Sequence, residues 1–119
     1  MRTAVGAASW LAPRPAGQMF GLNASENPQA PYLARLFGVR DIALGVGLAT
    51  APPAARRQWL AIGLACDVAD FLAGIAGTKA GYLSKTSGTL VSGAALGGVT
   101  LGVLALRHVE RGELLAADT

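Results

Sequence analysis

Four ionisable residues sit inside apolar sequence: Arg40 and Asp41 within Leu36–Ala51 (LFGVRDIALGVGLATA), and Asp67 and Asp70 near the middle of Trp59–Gly77 (WLAIGLACDVADFLAGIAG). The second stretch is long enough to cross a bilayer, where an aspartate at the centre of a helix costs roughly 2.5–3.5 kcal/mol. Two such aspartates demand a basic partner. Charged residues in this position do one of two things. They form a buried polar network that locks helices together, or they relay protons or coordinate ions, as intramembrane carboxylates do in transporters.

Spacing narrows the geometry. Asp67 and Asp70 are three apart and share a helix face with Gly63, Gly74 and Gly77, a small acidic face that must point into a bundle. The opposite, lipid-facing side is then Leu60, Leu64, Val68, Phe71 and Ile75. On the preceding helix Gly38, Asp41 and Gly45 share a face in the same way. A short connection makes the two helices antiparallel neighbours, so residues whose numbers sum to about 110 lie level. Arg40 is thereby placed beside Asp70. Because a guanidinium can take two carboxylates at once, Arg40 is also expected to reach Asp67.

Other chemistries find no support. Cys66 beside Asp67 is at most half a metal site, since no second cysteine exists and the one histidine, His108, lies far down the chain. No metal or cofactor is expected. Ser84, Ser87 and Ser92 lack the spacing to form a nucleophile and base with His108, and no enzyme motif is present. The net charge of +3 comes from basic residues scattered singly, apart from Arg56 and Arg57. A nucleic-acid partner would need a clustered basic stripe with aromatics, so none is expected.

Composition sets the surroundings of these residues. Of 119 residues, 52% are hydrophobic and 14% charged, where an average soluble domain has roughly 25% charged. Mean hydropathy is a modest +0.43, because Ala and Gly supply much of the apolar count. One membrane domain follows, with the lipid bilayer as its first partner.

In chain order, residues 1–12 form a short first helix ahead of Pro13 and Pro15. At 1.5 Å per residue it covers about half of a ~30 Å hydrocarbon core, so it is half-inserted, interfacial, the remnant of a longer span or, with Arg2 as its basic end, a Leu-poor signal peptide. Residues 13–35 read as a polar loop, with Pro28 and Pro31 as turn markers. Its Asn23-Ala24-Ser25 matches a glycosylation sequon, a pattern too common to carry weight. Helices are expected over 36–51, 59–77 and 88–106, with PPAARRQ as a basic connection and 107–119 as a polar tail. The 88–106 run carries no charge and is the cleanest transmembrane signal. Within it Gly93 and Gly97, and again Gly98 and Gly102, have the spacing that lets helix backbones approach, though sixteen glycines produce it easily by chance.

Basic residues give the orientation. Arg2, Arg56, Arg57, Arg107 and Arg111 fall on one side and Arg14, Arg35, Lys79 and Lys85 on the other, a faint preference for both termini in the cytoplasm. Trp10, Trp59, Tyr32 and Tyr82 fall at or near run ends, as interfacial anchors do.

With RLFGVRDIALGVG (Arg35–Gly47), a short basic connection and DVADF (Asp67–Phe71) in view, the chain resembles a group of small bacterial membrane proteins, common in actinobacteria, that have no assigned function. The resemblance covers roughly Ser9–Leu106, and its specific part is Arg40, Asp41, Asp67 and Asp70. It implies four membrane helices and says nothing about chemistry; the short beginning departs from the pattern. The expectation is therefore an all-α integral membrane bundle of four helices, the first short or partly inserted, in the cell membrane. Its expected role is a non-catalytic accessory or scaffold acting through helix contacts with a larger membrane complex or a second copy. The alternative is a small proton-coupled carrier or channel subunit using Arg40, Asp67 and Asp70.

Overall fold

A computed structural model describes residues 1–22, 25 and 27–118. These residues form five helices and no strand: α1 (Arg2–Leu11), α2 (Pro13–Met19), α3 (Ala30–Thr50), α4 (Pro53–Ala80) and α5 (Lys85–Ala117). Asn23 and Ala24 of the sequon lie outside the described residues.

Helix boundaries overrun the apolar runs wherever the flanking residues favour a helix. Pro13, Pro31 and Pro53 all stand at the first or second position of a helix, where the missing N–H has no intrahelical partner anyway. Two of them therefore start helices inside 13–35, the region expected to be a loop. The basic connection PPAARRQ becomes, from Pro53 on, the first turns of α4, since Ala, Arg and Gln propagate a helix well. α5 begins at Lys85 because the Ser84 side chain accepts the Ser87 N–H as a cap, and it runs unbroken through the expected tail. α4 stops at Gly81, whose φ of +88° is a left-handed cap that only glycine adopts cheaply.

The helices make two antiparallel pairs. In one, α1 lies along α3 so closely that a Cβ on Gly6 would sit 2.5 Å from the Gly38 carbonyl oxygen, and one on Gly38 2.7 Å from that of Gly6. In the other, α4 and α5 run the length of a hairpin. The seam between the pairs, α3 against α4, is sparse beyond the Ala51–Pro52 turn. The molecule is a slab of 59 × 29 × 15 Å.

Burial is inverted relative to a water-soluble core. Among the described residues the buried set is dominated by Gly, Ala and Ser together with Asp41 (4% exposed) and Asp67 (6%), while Leu72, Leu96, Leu101 and Leu104 are all more than half exposed. The expected four spans are not found. Two described helices, α4 and α5, are long and apolar enough to cross a membrane. α1 is ten residues long, and Arg35, Arg40 and Asp41 interrupt α3.

Candidate functional site

The site grows from two neighbouring residues on α3. Arg40 and Asp41 diverge around the helix, so that one reaches toward α4 and the other sits between α3 and the start of α1. The Arg40 guanidinium donates to both oxygens of Asp70 on α4, with Nη1 2.9 Å from Oδ1 and Nη2 2.6 Å from Oδ2. This two-point geometry fixes the plane of both groups. Phe37, one turn back on α3, places its ring 4.7 Å from the Arg40 guanidinium carbon, a cation–π contact that holds the stem from the other side.

Asp67 does not join that pair. Its partner is Arg2, the first residue of α1, which donates to Asp67 Oδ2 through Nη2 and to Asp41 Oδ1 through Nη1 at 3.2 Å. Nη2 also donates to the Gly63 carbonyl at 3.2 Å, a backbone oxygen one turn before Asp67. Arg40 Nη2 stands 3.8 Å from Asp41 Oδ1. The five charges thus alternate in sign, Asp70, Arg40, Asp41, Arg2, Asp67, and tie α1, α3 and α4 together. Three carboxylates against two guanidiniums leave the cluster formally at −1.

The glycines act around this chain of charges. A Cβ at Gly63 would lie 3.3 Å from the Arg2 guanidinium, and one at Gly98 on α5 would lie 2.7 Å from Asp67 Oδ2, so both positions make room for the cluster. Gly74 faces Ser92, and Gly102 faces Leu64 across the α4–α5 hairpin. Leu64, expected on the lipid side, therefore packs inward. Gly93 and Gly97 take no part: nothing comes within 4 Å of a Cβ built on either, because they lie on the face of α5 turned away from α4. Ser84 and Ser87 are engaged at the start of α5, where the buried Ser87 hydroxyl donates to the Gly21 carbonyl at 3.0 Å. Cys66 is a half-exposed free thiol, and no group of three His, Cys, Asp or Glu able to hold a metal is present among the described residues.

Arg2 is the residue that sequence reasoning missed, as it was counted with the loop charges that set orientation. With Arg2 drawn into the cluster, four basic residues remain on each side, and the orientation count loses its margin. The signal was present in the arithmetic. The apolar runs hold three acids and one base, and Arg2 leads a run too short to span, so it starts part-way down the slab.

The arrangement suits positioning more than reaction. A buried ion pair adds little net stability compared with apolar packing, yet removing one partner is strongly destabilising, and the best-attested use of such groups is to fix register. No protein-family model, curated protein or solved structure matches the chain.

Proposed function

We propose that this chain is a small multi-pass membrane protein of bacterial type, resident in the cell membrane, that works without catalysis as an accessory or scaffold through helix contacts. Its charged cluster is the clasp that joins one helix pair to the other. One observation carries the membrane placement: the apolar windows of α4 and α5 are only 22% and 6% buried within the chain, far from the mostly buried core helix of a water-soluble protein. Inverted burial around it supports the same placement, because in lipid small and charged residues belong at helix interfaces and large apolar ones outside. With the basic residues otherwise even, the Arg56 and Arg57 doublet beside the α3–α4 turn supports a cytoplasmic placement of that end.

The scaffold role is tested by tagged purification from native membranes in mild detergent, with mass spectrometry of what accompanies the chain. A stoichiometric membrane partner is expected; a chain that runs alone contradicts the role. The formal −1 of the cluster favours one second reading, a proton-coupled carrier, since a surplus carboxylate is where a proton would bind. Asp70→Asn separates them. A clasp loses folding yield, whereas a carrier stays folded and loses proton flux in liposomes.

A further inference from the structure

Near the Ala51–Pro52 turn, α3, α4 and α5 border an open groove of about 580 Å³. Its floor is apolar, formed by Leu48, Leu60, Leu104 and Ala105, and its rim carries Arg56 and His108. The two kinds of residue are sorted along the helix axes. Arg56 is in the first turn of α4 and His108 lies two residues past the uncharged run 88–106 of α5, while Leu60 and Leu104 are each one turn deeper. The Arg57–Glu110 ion pair at 3.1 Å lies at this end of the hairpin, so Glu110 is already paired. Arg56 makes no hydrogen bond or ion pair among the described residues.

An apolar channel that opens sideways, ending in an unpaired guanidinium and an imidazole at the level where the spans leave the hydrocarbon, has the polarity order of one lipid molecule. We propose that this groove binds an anionic phospholipid, with its phosphate at Arg56 and His108 and an acyl chain along Leu48, Leu60 and Leu104. A zwitterionic choline lipid fits less well, because its choline cation would sit beside Arg56. The site presupposes the membrane placement proposed above and adds to it a lipid class and its contacts.

The test uses the full chain in nanodiscs of equal phosphatidylcholine and phosphatidylglycerol, re-extracted in mild detergent, with retained lipid quantified by mass spectrometry. Phosphatidylglycerol should be enriched by about fivefold through Arg56. Arg56→Gln should remove most of the enrichment and His108→Gln part of it, with helicity unchanged because both side chains are exposed. Lys85→Gln, which removes an equal charge at the other end of α5, should keep it. Enrichment that survives Arg56→Gln, or that falls as far with Lys85→Gln, overturns the site. A chain that enters nanodiscs but retains both lipids equally overturns the site alone; a chain that never enters them overturns the membrane placement as well.

Discussion

The α4–α5 hairpin and the α3–α4 seam are both antiparallel helix pairs joined by a short turn, yet they are held by different physics. Along the hairpin a small residue meets a side chain at Gly102 against Leu64, Gly98 against Asp67, Gly74 against Ser92 and Gly88 against Thr78. Dispersion and close backbone approach suffice there. Across the seam, Trp59 packs on Gly47 near the turn, and further along the helices the contact passes to the Arg40–Asp70 pair, with Arg2 bridging Asp41 and Asp67. Long charged side chains span the gap that the backbones leave open. The hairpin should therefore be sensitive to volume and the seam to charge.

Unfolding in mild detergent sharpens that contrast. Arg2→Met should have the largest effect, about 3–5 kcal/mol, because it leaves the buried Asp67 with no cation and Asp41 with only the longer Arg40 contact at 3.8 Å. Gly98→Val should cost about 2–3 kcal/mol by driving a side chain into the Asp67 carboxylate, although it changes no charge. Arg40→Lys keeps the charge and loses the two-point geometry, for about 1–2 kcal/mol. Arg57→Gln breaks an ion pair whose side chains are 60% and 45% exposed and should cost less than about 0.5 kcal/mol. If Arg57→Gln rivalled Arg2→Met, burial would not be what distinguishes the cluster.

Legibility in the sequence followed range. The Arg40–Asp70 pairing could be placed because a short turn fixes the register of the two flanking helices, and the apolar cores of α4 and α5 stand out by composition. The partner of Asp67 could not, since Arg2 arrives from 65 positions away and no local pattern encodes that crossing. Helix ends were misplaced because proline reads both as a breaker and as a first-turn residue, and Pro31 and Pro53 take the second part. The glycine spacing of α5 was ambiguous for a geometric reason. Gly93 and Gly97 repeat on one face and Gly98 and Gly102 on another, and only the second pair faces α4.

A double-mutant cycle on Arg40→Met and Asp70→Leu, read as unfolding free energy in detergent, tests the clasp most directly. If the pair is structural, each single change should be costly and the double change should recover much of the loss, with a coupling of at least about 1.5 kcal/mol. Losses that simply add would contradict it, and would mean that α3 and α4 are held together by something other than these charges.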